Sequence, residues 1–310
     1  MKISVAIDKY FTIFLYVSLA FLVFFLFRYD YARIDLVRFD FVFLTSSLLL
    51  LFLGFWLNAY CWYLTCMQLA GKVSLSEAVV SHGLSIFGKY IPGKVWGILG
   101  RAGYVSRTGV SLSSATQASF YAQVMSIWAG LVLGFVGLVA IGIGGHYVWI
   151  IGILMVVCTA FLFSPPQNSR LVKRLIFRGP YGGVESVFRL DSQRVIPLAF
   201  VFLLFWLCWT TGFLLFVQSL FPGMSFKWYL SLAFPFAATV GILAFIFPGG
   251  LGIREGLLVF FLVNCGMPAE NAAVTSILSR IWFSAGEVFI FLTALFLRIN
   301  ASKKLAYHGH

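Results

Sequence analysis

Polar residues in this 310-residue chain fall in short clusters between long apolar runs, and the runs set the architecture. Stretches at roughly 11–27, 41–64, 117–142, 147–163, 197–219 and 280–298 each have a length that crosses a bilayer core as an α-helix, about 17–25 residues. Two further stretches are less apolar and interrupted. The first, 74–107, breaks at Pro92-Gly93; the second, 228–279, breaks at Pro248-Gly249-Gly250, with Pro235 and Pro268 adding interruptions. Proline and glycine break helices, and a broken helix at membrane depth is tolerated only where protein buries it or it lines a cavity.

Loop charge sets the orientation. The longest polar loop, about 164–196, carries Arg170, Lys173, Arg174, Arg178, Arg189 and Arg194 against Glu185 and Asp191, which places it in the cytoplasm by the positive-inside rule. Lys303 and Lys304 put the C-terminus on the same side, and Lys2 and Lys9 agree for the N-terminus. The 28–40 loop alternates Arg and Asp to zero net charge, so its outer location follows from counting spans. That count closes only if 74–107 enters and leaves on the cytoplasmic side while 228–279 begins and ends outside. The expected fold is therefore all-α and polytopic: about six full transmembrane helices plus two opposed re-entrant helical hairpins in an inverted repeat. Repeat 1 spans about 41–142 and repeat 2 about 197–298, within one integral domain over 1–310. A spacing match supports the repeat: Gly109 and Ala115 follow Pro92 at nearly the offsets at which Gly266 and Ala272 follow Pro248.

Composition sharpens this picture. With 61% hydrophobic and only 10% charged residues, the chain lies far from the roughly 25% charge of soluble domains and needs lipid around it. The net charge of +12 reads as cytoplasmic loops facing anionic headgroups rather than as a nucleic-acid surface. Cys61, Cys66, Cys158, Cys208 and Cys265 are scattered without metal spacing or a disulfide frame, and His82, His146, His308 and His310 show no metal spacing. The first apolar run lacks a small-residue cleavage site, so it reads as a retained span. The 35 phenylalanines and nine tryptophans are expected mostly at lipid or interfacial belts, and Gly130, Gly134 and Gly137 read as a close helix-packing stripe.

The candidate chemistry gathers beside the breaks. Lys89 and Lys94 flank the first, with Arg101 and Arg107 following; Arg254 and Glu255 follow the second, and Arg280 and Glu287 lie in or near the last span. Cations beside freed backbone N–H groups suit an anion such as a lipid phosphate. A blander reading makes 74–107 a surface hairpin whose basic residues only touch headgroups. Glu255 or Glu287 would neutralise an arginine and release it to substrate, accept a coupling proton, or form a structural ion pair. No nucleophile elbow, phosphate loop or metal-helix motif is present, so the expectation is a non-enzyme with no catalytic residues, cofactor or metal.

Two stretches resemble the lysylphosphatidylglycerol synthase transmembrane-region family of flippase-like membrane proteins. They are Lys89-Tyr90-Ile91-Pro92-Gly93-Lys94 through Gly100-Arg101, Tyr104, Arg107 and Gly109, and Pro248-Gly249-Gly250-Leu251-Gly252-Ile253-Arg254-Glu255-Gly256 through Gly266. The resemblance implies a prokaryotic cytoplasmic-membrane protein that moves an anionic phospholipid, aminoacylated lipid or lipid-linked glycan across the bilayer. Members that aminoacylate lipid use an additional soluble domain for which this chain has no room, so synthase activity is not carried over. Many members also bear a Glu-Arg pair early in the span after the first hairpin, where this chain reads Ala118-Ser119-Phe120-Tyr121-Ala122-Gln123. The expected partner is membrane lipid as substrate, with a cell-envelope biosynthesis enzyme or a second copy of the chain as further candidates. The alternative function is a non-catalytic membrane partner of a glycosyltransferase or lipid-modifying enzyme. A small-solute transporter is disfavoured by the scarcity of uncharged polar residues in the spans.

Overall fold

The computed structural model describes residues 39–91, 95–142, 145–163, 192–244, 250 and 252–307. The expected first span at 11–27, most of the loops at 28–40 and 164–196, the breaks Pro92, Gly93, Pro248 and Gly249, and Lys94, His308 and His310 lie outside them. All regular elements among the described residues are helical. We number the α-helices α1 (Phe41–Leu69), α2 (Leu75–Ser85), α3 (Trp96–Val105), α4 (Leu112–Ile141), α5 (His146–Phe163), α6 (Ser192–Leu220), α7 (Ala233–Leu243), α8 (Ile253–Asn264) and α9 (Ala269–Tyr307). Short 3₁₀ turns at Ile86–Tyr90 and Trp228–Leu232 extend α2 and precede α7.

Polar side chains fix the helix starts. Asp40 accepts from the N–H groups of Val42 (2.9 Å) and Phe43 (3.2 Å), Ser111 accepts from Ser114, and Ser74 and Glu77 form a reciprocal capping box at α2. Among the described residues four helical stretches are long and apolar enough to cross a membrane: Phe41–Leu69, Leu112–Ile141, Gln193–Leu220 and Ala269–Ala301. α5 carries a shorter apolar run, Val148–Ala160. Asp40 is the only side chain capping α1 from the loop side among the described residues, and Asp40→Ala is expected to cost about 1 kcal/mol of stability. Thermal unfolding of the detergent-solubilised protein measures it.

The last span begins well before residue 280. Pro268 stands at its N-terminal boundary, where its carbonyl accepts from Ala272 N–H (2.9 Å) and its missing N–H removes no helical bond. The charge that lowers hydropathy in this segment, Arg280, is paired with Glu255 on α8, so the helix passes through it. The second interrupted stretch consequently ends at Asn264. Pro235 does not interrupt it: the residue sits in the first turn of α7, where no i→i−4 bond is lost.

Glycines set how closely the helices approach. α1 and α6 form the most extensive interface. A Cβ on Gly54 would come 2.3 Å from the Trp209 ring, and one on Gly212 would come 3.2 Å from the Ser47 carbonyl oxygen, so each helix receives the other at a missing side chain. The Gly130, Gly134 and Gly137 stripe takes α7 onto α4, facing Thr239, Phe236 and Leu232 respectively, as the spacing suggested. In a matching way α9 packs on α2, where Gly83 meets the Ile290 carbonyl and Ala294. The contact pattern is thus reciprocal: α4 rests on α7 and α9 on α2, while α3 meets α4 and α8 meets α9.

Four tryptophans depart from the expectation that the aromatics lie mostly at lipid or interfacial belts. Trp62, Trp206, Trp209 and Trp282 are buried, and each indole N–H donates inside the protein: to Ser81 Oγ (2.9 Å), the Ser126 carbonyl (2.9 Å), the Leu51 carbonyl (3.2 Å) and Ser47 Oγ (2.8 Å). A buried indole needs such an acceptor, and the close helix crossings bring backbone carbonyls and serines within reach. Trp56, Trp96, Trp149 and Trp228 remain exposed to the surroundings of the helices.

Candidate functional site

One stripe of α9 organises the charged residues. Arg280, Phe283, Glu287, Phe291 and Ala294 recur at steps of three and four, which stacks them on one helical face. Successive members meet different parts of the molecule. Arg280 Nε donates to Glu255 Oε1 at the start of α8. Phe283 lies under both Lys89, with Nζ 4.9 Å from its centroid, and Arg254, with Cζ 5.3 Å away. Glu287 accepts from Lys89 Nζ, Phe291 packs against Phe87 at 5.3 Å, and Ala294 fits against Gly83. Lys89 comes from the 3₁₀ turn that ends the first arm of 74–107, and Arg254 and Glu255 from the first turn of α8. The two interrupted stretches therefore converge on the middle of the apolar span Ala269–Ala301.

Neighbouring sequence positions do not pair with each other here. Glu255 pairs with Arg280 rather than with adjacent Arg254, because consecutive helical residues point about 100° apart. Its second oxygen accepts from Gly252 N–H (2.7 Å), and Ser276 donates to its carbonyl (3.3 Å), so Glu255 is anchored on three sides. Arg254 instead lies between the faces of Phe234 (5.1 Å) and Phe283, a cation–π arrangement strengthened by desolvation. Arg280 Nη2 is buried with no hydrogen-bond partner among the described residues.

Burial decides what these groups can do. Glu287 is fully buried, Arg254 is 8% exposed, and the Lys89 side chain keeps 38% of its surface accessible. Lys89 lies close enough to Arg254 and Arg280 to feel both as like charges. Among the described residues three cations thus face two carboxylates, leaving an excess positive charge in a weakly screened interior. Two opposite charges about 4 Å apart attract by about 4 kcal/mol at an effective dielectric constant near 20, enough to offset much of an anion's desolvation.

Arg101 belongs to a second cluster. Its Nε donates to Ser119 Oγ (2.6 Å) and its Nη2 to the Ser119 carbonyl, and its guanidinium stacks over Trp62 at 4.7 Å. These bonds tie α3 to α4 and α1. His82, buried on α2 with Nε2 unpartnered among the described residues, lies within electrostatic reach of both Arg101 and Lys89. Arg107 is exposed at the end of α3, over the Tyr104 ring at 5.8 Å, apart from the convergence. Gly250, the described member of the second break, holds φ +69° with its Cα against Gly241, closing the two arms of 228–264 on each other. The rings of Phe234 and Phe283 and the imidazole of His82 were not singled out from sequence. The available signal was the spacing of Phe283, three residues after Arg280 and four before Glu287.

An apolar helical assembly that holds ion pairs halfway along a membrane span defines an integral membrane protein with a charged interior site. The chain belongs to the lysylphosphatidylglycerol synthase TM region family, whose profile matches residues 4–283. No curated protein and no solved structure matches it. Membership ties the chain to membrane lipid.

Proposed function

We propose that this protein is a lipid translocase, not an enzyme, which carries an anionic headgroup across the cytoplasmic membrane of a prokaryote while the acyl chains stay in lipid. The substrate is a phospholipid, an aminoacylated lipid or a lipid-linked glycan. The observation that carries the reading is the convergence of Lys89 and Arg254 on Phe283, midway along α9 with Arg280 on the same face, countered among the described residues by two carboxylates. The barrier to translocation is headgroup desolvation, several kcal/mol for an unpaired charge, and buried cations lower it.

In this reading 74–107 and 228–264 are re-entrant hairpins entering from opposite faces, within repeats related by inversion, and both termini are cytoplasmic. Support comes from the reciprocal packing of α4 on α7 and α9 on α2. The spacing match adds to it. Gly109 and Gly266 both take positive φ just before the long span, Ser111 and Pro268 both accept the first helical N–H, and Ala115 and Ala272 are both fully buried one turn on. The same separation in sequence relates all three pairs, and also the starts of α3 and α8.

Reconstitution into liposomes with a fluorescent phosphatidylglycerol tests the function by dithionite quenching of the exposed leaflet. Wild-type protein is expected to translocate the lipid faster than empty vesicles do. Arg254→Gln removes one charge-assisted contact, about 1.5–3 kcal/mol, and is expected to slow translocation at least roughly tenfold. A wild-type rate equal to that of empty vesicles overturns the proposal.

A further inference from the structure

A positively charged headgroup would need a carboxylate, and the acids of this chain are committed elsewhere. The sequence has ten, and Asp8, Asp30, Asp35, Glu185 and Asp191 lie outside both the described residues and the apolar runs. Asp40 and Glu77 cap the starts of α1 and α2, and Glu270 is exposed in the first turn of α9. Among the described residues Glu255 and Glu287 alone belong to the charged site. Each already holds one of the protein's own cations, Arg280 and Lys89 respectively.

Aromatic faces are the other receivers of an ammonium, and the protein uses these too. Phe283 lies under Lys89 and Arg254, Phe234 under Arg254, and Trp62 under Arg101. His82 offers a further cation nothing better, because Arg101 and Lys89 already bear on it as charges. What the site has to spare is a donor. Arg280 Nη2 is buried without a hydrogen-bond partner among the described residues, on a side chain only 11% exposed. A guanidinium donates and never accepts, so the partner it lacks is an acceptor, which a phosphate oxygen is and an ammonium is not.

We propose that the site selects its lipid by headgroup charge: it admits a phosphate whose headgroup carries no ammonium and turns away aminoacylated lipid. The inference rests on the lipid-translocase reading above and narrows its substrate. A lipid phosphate brings one negative charge to the excess positive charge of the site and cancels it. An aminoacyl headgroup adds an ammonium to the same phosphate, so the excess remains, and like charges a few ångströms apart in this interior repel as strongly as unlike ones attract. To receive that ammonium the site would have to take Glu255 from Arg280 or Glu287 from Lys89. Either exchange only replaces one paired cation by another.

Dithionite quenching in liposomes tests the selection with tail-labelled probes that differ only in headgroup. They are phosphatidylglycerol, lysyl-phosphatidylglycerol and diacetylated lysyl-phosphatidylglycerol, which keeps the bulk of the lysyl form and loses its ammonium groups. Wild-type protein is expected to move the first and third at comparable rates and the lysyl form at least about tenfold more slowly. Arg280→Gln leaves Glu255 Oε1 to receive an ammonium and is expected to narrow that gap, a ratio that a general loss of stability does not move. A lysyl form that wild-type protein moves as fast as the diacetylated one overturns the selection and leaves the translocase reading intact. So does a diacetylated form as slow as the lysyl one, since bulk would then do the sorting, and so does a folded Arg280→Gln variant that keeps the wild-type ratio. The wild-type comparison alone decides the matter if Arg280→Gln fails to fold. No translocation of any probe overturns both readings.

Discussion

Replacing Lys89 with Met is expected to destabilise the protein by about 3–5 kcal/mol and to abolish lipid translocation, and adding Glu287→Leu is expected to restore the stability alone. The magnitude follows from what the single change leaves behind. Glu287 is fully buried, and removing Lys89 takes a cation from a carboxylate in an apolar helix interface, the expensive half of breaking a buried pair. Exchanging both partners for apolar side chains of similar volume removes the desolvation cost together with the attraction, and such exchanges are often neutral. Stability read by thermal unfolding in detergent, and translocation read in liposomes, separate the two roles. A double variant that is both stable and active would mean that the pair only positions the hairpin.

The second large effect is steric. A Cβ on Gly83 would come 2.5 Å from the Ile290 carbonyl oxygen and 2.6 Å from Ala294 Cβ. The first contact is main chain of a long helix, which cannot rotate out of the way as a side chain can. Gly83→Val is therefore expected to cost at least the 1–3 kcal/mol typical of overpacking, and to part α2 from α9. Lys89 follows Gly83 by less than two turns, so the separation also draws it from Glu287 and translocation falls with stability. Gly256→Ala is the matched control: no atom lies within 4 Å of its added Cβ, and replacing a helix-interior glycine is expected to gain up to about 1 kcal/mol. Thermal unfolding of the two variants side by side measures both, and equal midpoints would show that the α2–α9 contact is soft.

Much of the fold was legible in the chain because apolar run length is a one-dimensional property. The runs at 41–64, 117–142 and 197–219 correspond to α1, α4 and α6, with ends displaced by capping residues such as Asp40 and Ser111 that lie outside the apolar core. The start of the last span was misplaced because Glu270 and Arg280 lower local hydropathy. Arg280 has a partner only once α8 is folded beside it. The same limitation held Pro235 to be a break, since its position in the first turn of α7 depends on where the preceding 3₁₀ turn ends.

The site was legible as a set of residues and not as a set of pairs. Lys89, Arg254, Glu255, Arg280 and Glu287 stand out as charges in apolar surroundings, and their rarity alone makes them conspicuous. Which carboxylate meets which cation was not readable, for Lys89 finds Glu287 across 198 positions of sequence and Glu255 passes over its neighbour Arg254 for Arg280. Arg101 shows the converse: conspicuous beside the first break, it is engaged by Ser119 and Trp62 on two other helices.

By itself the sequence determined that the chain is helical, lives in a membrane, breaks two of its segments and keeps charge beside the breaks. Hydropathy, proline and glycine act through bonds and solvent local to each residue, so they are readable along a line. Only the tertiary structure decided that both broken segments meet on one face of α9, that Phe283 lies under two cations, and that Glu287 is buried against an accessible lysine. Those outcomes depend on where glycines let helices approach and which way each side chain then points, and both are settled only when the helices have packed.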